Sequence, residues 1–246
     1  MNLSTIVKPC HEKVFKRDNI FCVYDAQHID RFSPQMLDNQ YWQSQNAIVG
    51  SAQGRGTTWF VQHEEKQWVL RHYYRGGMIG KFNKDNYWFT RMESTRAARE
   101  FTLLNRLVQL NLPVPCPIAY RVIRKGRFYQ ADILSERICD AKDLVALLCE
   151  KEISLVLWQK IGATIKRFHN NNIYHHDLNA HNILIDKEEN VWLIDFDRGE
   201  IRSGGVRWKK ENMKRLLRSF NKEKNKLAGF HWQESHWDAL MSGYIS

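Results

Sequence analysis

The segment His175-His176-Asp177-Leu178-Asn179-Ala180-His181-Asn182 constrains this chain more than any other. It is followed at once by the apolar Ile183-Leu184-Ile185. A second β-rich piece, Val191-Trp192-Leu193-Ile194, then runs into Asp195-Phe196-Asp197-Arg198-Gly199. Two short apolar pieces joined by the polar turn Asp186–Asn190 predict a hairpin. Such a hairpin would hold the polar groups at its ends on a rigid support. The residue types suit metal-assisted phosphoryl transfer. That chemistry needs one carboxylate to take a hydroxyl proton and hold the oxygen in line with the γ-phosphate. It also needs hard oxygen ligands for a divalent cation. Asp177 fits the first role, and Asn182 with Asp195 the second. Any one of these residues alone would be an ordinary turn former. The joint pattern H-x-D-x4-N, a hydrophobic strand and then D-F-D carries the signal.

The rest of the chain can support such a site. Its 246 residues, 43% apolar and 12% aromatic, exclude a disordered tail or a fibre and allow one large domain or two small lobes. Thirty-seven Lys and Arg against 27 Asp and Glu leave a charge of +10, which favours anionic partners. Five cysteines, Cys10, Cys22, Cys116, Cys139 and Cys149, are scattered without a C-x-x-C pair. They read as reduced thiols of a cytosolic protein. No apolar run reaches the ~20 residues of a membrane span, and the first 15 residues are no signal peptide.

Before the catalytic-type segment the pattern is β-rich. The first ~45 residues read as an extension or early strands. Ile48–Arg71 reads as strand, Gly-rich turn, strand, polar turn, strand. Residues 93–110 form a predicted helix, with Ala97, Phe101, Leu104 and Val108 on one stripe and Glu100 beside it. The prolines of Leu112-Pro113-Val114-Pro115-Cys116-Pro117 end that helix. Ala119–Arg124 and Phe128–Leu134 around Lys125-Gly126 make another hairpin, and the polar Ser135–Asp140 reads as a hinge. After it, helices are predicted at Asp143–Cys149, at Ser154–His169 with Ser154 as N-cap, and over the remainder, 207–241.

On these residues the chain resembles the protein-kinase-like superfamily and, within it, the lipopolysaccharide kinase family. Segments carrying the resemblance are Gly54-Arg55-Gly56-Thr57-Thr58, Leu70-Arg71-His72-Tyr73-Tyr74-Arg75-Gly76-Gly77, Leu112-Pro113-Val114-Pro115, Ala131–Ile138 and the catalytic loop. The Arg-His-Tyr-Tyr-Arg-Gly-Gly stretch points to the narrower family. The resemblance implies an α+β, protein-kinase-like bilobal fold. Residues 1–137 would form the N-terminal extension and β-rich nucleotide-binding lobe, and 138–246 the helical catalytic and substrate lobe. It implies ATP and Mg²⁺ as cofactors, Asp177 as catalytic base, and Asn182 and Asp195 as metal ligands. Gly50, Gly54 and Gly56 would cover the phosphates, Arg71 or Lys81 would contact them, and Glu100 would be the helix partner. Glu136 and Ile138 of the hinge would take the adenine, walled by Val69, Leu134 and Leu184. The acceptor implied is the 4-hydroxyl of 3-deoxy-D-manno-octulosonic acid (Kdo) on Kdo–lipid A, at the cytoplasmic face of the bacterial inner membrane, with no nucleic-acid partner.

Three positions depart from protein kinases. Arg71 stands where they carry lysine, Asp197 follows Asp-Phe where they carry glycine, and Asn179 stands two residues past the base where serine/threonine kinases carry lysine. The last two argue against a protein substrate. A protein kinase, an antibiotic-type phosphotransferase and a non-catalytic basic module binding membrane or nucleic acid are the alternatives. A zinc site at His176 and His181 with Asp177 or Asp195 is a weaker one, since cysteine partners and helical H-x-x-x-H spacing are lacking. From Arg202 to Lys226 ten basic residues face only Glu211 and Glu223. With Trp208, Phe220, Phe230, Trp232 and Trp237, this tract predicts a docking face for anionic lipid.

Overall fold

The computed structural model describes residues 11–54, 56–75 and 85–246. They divide into two compact units. One takes the chain up to Asn111 together with Pro115–Arg137, the other Leu112–Val114 with Ile138–Ser246.

In the first unit the β-branched and aromatic runs pair as their alternation demands. Its elements are β1 (Glu12–Arg17), β2 (Ile20–Asp25), α1 (Asn39–Ser44), β3 (Ile48–Gln53), β4 (Thr57–His63), β5 (Lys66–His72), β6 (Tyr87–Trp88), α2 (Arg96–Gln109), β7 (Pro117–Lys125) and β8 (Phe128–Glu136). Among the described residues one antiparallel sheet runs in the order β1-β2-β7-β8-β5-β4-β3, with β6 also on β8. Lys125 pairs with Phe128, and Gly126 takes a φ of +61° in the two-residue turn that few side chains would tolerate. Along β5 alternate residues take opposite sides. Trp68 and Leu70 join Ile29, Met36, Leu37 and Trp42 in a buried cluster. Val69 and Arg71 take the other side, where Phe101 of α2 meets Tyr120 at 5.2 Å between ring centres. Residues 34–44, expected as extension or strand, instead make a 3-10 turn and α1 that cover the first side. Trp42 decides this: its indole N–H donates to the Met36 carbonyl at 2.7 Å, and its ring meets Trp68 edge-on at 6.1 Å.

The second unit comprises β9 (Lys142–Asp143), α3 (Leu144–Glu150), α4 (Leu155–Asn170), β10 (Ile173–Tyr174), β11 (Ile183–Ile185), β12 (Val191–Leu193), β13 (Glu200–Ile201), α5 (Val206–Lys224) and α6 (Glu234–Ile245). Both early helices are capped by side chains. The Asp143 carboxylate accepts the Val145 and Ala146 N–H groups at 3.1 and 3.2 Å, so Asp143 stands before the helix predicted to begin with it. Ser154 Oγ accepts the Leu157 N–H at 3.1 Å, as an N-cap should. The Pro113 carbonyl accepts the Leu193 N–H at 3.0 Å, which ties the proline segment to this unit.

Helices α4 and α6 touch backbone to backbone. A Cβ on Gly162 would overlap the Leu240 carbonyl, and one on Gly243 the Gln159 carbonyl. Beside this crossing Phe220 stacks on Trp232 at 4.3 Å, and both pack against Trp158 at 5.4 and 5.3 Å. Phe220, Phe230 and Trp232 are buried. The expectation that they belong to a lipid-docking face is therefore wrong. Burying rings of this size is worth roughly 2–3 kcal/mol each, which outweighs a place at the surface. Among the described residues no helix is long and apolar enough to cross a membrane.

Candidate active site

In the first unit the structure joins Arg71 to Glu100. The Arg71 Nη2 group lies 2.6 Å from each Glu100 oxygen. Glu100 is buried on α2, and the Tyr73 hydroxyl donates to its Oε2 at 2.7 Å. Burial and then the Glu100 charge push the Tyr73 phenol well above its ordinary range, so it remains a donor. The Arg71 guanidinium also lies over the Tyr73 ring, 5.0 Å from its centre. The sequence reading uses Tyr73 only as part of the stretch that marks the family and gives it no role of its own, yet it completes the seat of Glu100. Its signal is the alternation from Val69 through Arg71, which carries Tyr73 to the same side.

Gly50 and Gly54 lie on and just after β3, and the Gly54 N–H donates to the Gly56 carbonyl at 3.1 Å. At Gly56 the demand for glycine comes from within the protein, since a Cβ there would fall into the Tyr74 ring. Lys81, the alternative to Arg71, lies outside the described residues. In the hinge, the Glu136 N–H donates to the Cys116 carbonyl at 2.8 Å and β8 ends at Glu136. Ile138 begins the second unit's main stretch.

In the second unit the predicted hairpin forms, with Ile183 opposite Leu193 and Ile185 opposite Val191. One step further the Ile194 N–H donates to the Asn182 carbonyl at 3.0 Å. Asn182 and Asp195 therefore share one end of the hairpin. Asp195 and Arg198 both adopt left-handed backbone, at φ of +62° and +63°. The buried Phe196 between them stacks on Phe168 at 5.7 Å and meets His175 at 4.7 Å. The side chain of Phe196 thus belongs to the core, while Asp195 is half-buried.

His175 links the base to this hairpin. Its Nδ1 accepts the Asp177 N–H at 3.2 Å, so the proton sits on Nε2, which donates to the Ile194 carbonyl at 2.9 Å. Burial lowers the His175 pKa and keeps the ring neutral. The Asn182 amide donates from Nδ2 to the Asp177 carbonyl at 2.9 Å. Asn179 caps the turn: its Oδ1 accepts the His181 and Asn182 N–H groups at 2.9 and 3.2 Å, and its Nδ2 donates to the Asp177 carbonyl at 3.1 Å. Asn179, where protein kinases carry lysine, is therefore occupied with building the loop.

Helix α5 holds the loop from the other side, and the sequence gives no sign of this. Asn212 accepts the His175 N–H at 3.4 Å and donates to the His175 carbonyl at 2.9 Å. Ser219 Oγ accepts the Ala180 N–H at 3.0 Å. Arg215 Nη1 lies 3.3 Å from Asp177 Oδ1, with both side chains 43% exposed. The spacing 212, 215, 219 is one helical face. Asn212 also accepts from Nε2 of His169 at 3.4 Å, leaving His169 Nδ1 to accept the Tyr244 hydroxyl at 2.6 Å.

Burial pushes His169 down to about 4 from an ordinary 6.5. The unfolded chain therefore binds this proton more readily. The contribution is complete above pH 6.5 and is lost as pH falls from 6.5 towards 4, a loss on the order of 3 kcal/mol. Thermal melts over that interval are expected to show a falling Tm, and the fall should be smaller in His169→Gln.

The donor set fits a hard divalent ion. Nδ2 of Asn182 is committed to Asp177, so the amide offers Oδ1, and Asp195 offers a carboxylate at the same hairpin end. Among the described residues no group of three or more His, Cys, Asp or Glu side chains could hold a metal ion. The zinc alternative therefore has no such cluster among the described residues.

The comparisons with known proteins point the same way. The lipopolysaccharide kinase (Kdo/WaaP) family model matches residues 39–244. A protein of Vibrio vulnificus (strain CMCP6) called 3-deoxy-D-manno-octulosonic acid kinase is 50% identical over 223 residues, 91% of this chain and 94% of that one. Proteins of the same name from Mannheimia succiniciproducens and Haemophilus influenzae are 46% and 44% identical, over 93% and 94% of this chain and 98% of each of theirs. With a kinase-type loop built on His175, Asp177, Asn182 and Asp195, and likeness running nearly end to end, this chain belongs to the lipopolysaccharide kinase (Kdo/WaaP) family.

Proposed function

We propose that this chain transfers the γ-phosphoryl group of ATP to the 4-hydroxyl of Kdo on Kdo–lipid A, in lipopolysaccharide inner-core biosynthesis. The observation carrying the chemistry is the tie between Asp177 and the hairpin that ends in Asn182 and Asp195. His175 bridges the Asp177 amide to the Ile194 carbonyl, and Asn182 bonds the Asp177 carbonyl. Support for the acceptor comes from the relatives' names and their 44–50% identity. In this reading Asp177 accepts the proton of the acceptor hydroxyl as its oxygen bonds to the γ-phosphorus. The bond from phosphorus to the bridging oxygen breaks, and ADP leaves. Asn182 Oδ1 and the Asp195 carboxylate would hold Mg²⁺, which supplies charge neutralisation on the phosphate oxygens. Arg71, fixed by Glu100 and Tyr73, or in its place Lys81 would orient the phosphate tail, and Gly54 and Gly56 would cover it. The Glu136 and Ile138 backbone would take the adenine.

The acceptor is a lipid, so the same reading includes a peripheral site on the anionic cytoplasmic face of the inner membrane. Exposed Lys210 and Lys214, with half-buried Lys209 and Trp208, are its candidate contacts. Binding to anionic vesicles should weaken with salt, and reversing the charge of these three lysines should weaken it further. The deciding experiment is incubation of the purified protein with ATP, Mg²⁺ and Kdo-modified lipid A, followed by mass spectrometry. A gain of phosphoryl mass on the Kdo residue is expected. Phosphorylation of added protein, or of an aminoglycoside, with none of the glycolipid would overturn the assignment.

A further inference from the structure

Phosphoryl transfer as described above makes no use of the cationic groups beside the base. Arg215 lies within 3.3 Å of Asp177 and pairs with the carboxylate that serves as base. Strand β10 runs directly into His175-His176-Asp177, and β13 pairs with it, Tyr174 opposite Glu200 and Ile173 opposite Ile201. This pairing brings the segment carrying Arg198 and Arg202 alongside the loop. Arg202 is fixed there: its guanidinium lies 3.3 Å from the centre of the Tyr174 ring, and its Nε donates to Glu200 at 2.7 Å. Arg198 is exposed, on left-handed backbone. His176 sits among them, and its pKa is lowered by partial burial and then by the charges of Arg198, Arg215 and Arg202, against the opposing pull of Asp177. Arg215 pairs with Asp177 and Arg202 with Glu200, while Arg198 is exposed, so the surface beside the base carries guanidinium groups whose planar forks suit a carboxylate.

We infer that Arg198, Arg202 and Arg215, with His176, form the acceptor's anion site and receive the carboxylate of the sugar whose hydroxyl faces Asp177. This rests on the proposed acceptor being an acidic sugar. In Kdo the carboxylate stands on the ring carbon two bonds from the one bearing the 4-hydroxyl. A sugar that delivers that hydroxyl to Asp177 therefore brings its carboxylate within reach of a neighbouring arginine. Arg215 then exchanges Asp177 for the substrate anion, and the base is released from its cation as the acceptor arrives.

The test compares three acceptors: Kdo–lipid A, its Kdo methyl ester, and a form with the lipid phosphates removed and the carboxylate intact. Each is assayed with the wild type and with the Arg198→Gln/Arg202→Gln and Arg215→Gln variants. Esterification is expected to lower wild-type kcat/KM by about 10–100-fold, the size of a lost charged hydrogen bond, mainly through acceptor KM. Both variants should lose that distinction while the KM for ATP stays unchanged. A variant that still discriminates acid from ester as the wild type does overturns the inference. So does a penalty that follows removal of the lipid phosphates and that the variants erase, since the site would then serve phosphate. Calorimetric binding of the free acid and ester of Kdo without ATP repeats the comparison without turnover, and equal affinity overturns it. A folded wild type that turns over none of the acceptors but binds acid over ester would overturn the proposed reaction and leave the anion site standing.

Discussion

Asp177→Ala should transfer phosphate about 10²–10⁴-fold more slowly than the wild type, in kcat, with little change in stability. The size is that of a lost general base. The small stability effect follows from how the loop is held. Its fixed points are the Asp177 backbone N–H on His175, the Asp177 carbonyl under Asn179 and Asn182, and the His175 backbone on Asn212. None of them uses the Asp177 carboxylate. That group is 43% exposed and its ion partner, Arg215, equally so, a pair worth little to the fold. A melting curve beside the kinetics separates the two effects. Full activity in a variant that melts like the wild type would remove Asp177 from the mechanism.

The second large effect is expected at Arg71. Arg71→Met leaves the buried Glu100 carboxylate with the Tyr73 hydroxyl as its remaining bond among those described above. Breaking a buried ion pair from one side costs about 3–5 kcal/mol, and the lower end applies because the Arg71 side chain is 26% exposed. Denaturant unfolding should therefore show a loss of about 3 kcal/mol, together with a raised KM for ATP. The double variant Arg71→Met/Glu100→Gln removes both charges, leaves an amide oxygen to accept the Tyr73 hydroxyl, and should recover most of the stability. Its KM for ATP should stay high. Recovery of ATP affinity together with stability would make the pair purely structural.

Much of this arrangement could be read from local sequence. The stripe of Ala97, Phe101 and Leu104 gives α2, and with it the inward side on which Glu100 is buried. The apolar pieces around Asp186–Asn190 give the hairpin, and hence the shared end of Asn182 and Asp195. What could not be read depends on partners far along the chain. Asn212 looks like an ordinary polar residue of a basic helix until His175, 37 positions earlier, is folded against it. Phe220 and Trp232 look like surface aromatics amid lysines, and only Trp158 makes them core. Met36, Leu37 and Trp42 lack any strong period and become buried by lying across a sheet most of whose strands come later. Gly162 and Gly243 look like weak points in their helices, whereas their value lies in what they let approach.

That last contact sets a tolerance for the whole second unit. Where two helices are spaced by side chains, a larger or smaller residue moves them apart or together. Here peptide oxygen meets α-carbon, so the gap has a hard stop against closer approach, and trimming the aromatic rings beside it cannot draw the two helices together. The strand leading to the catalytic loop leaves from the end of one of these two helices. Its starting point is therefore bounded on one side by backbone rather than by side chains that can repack.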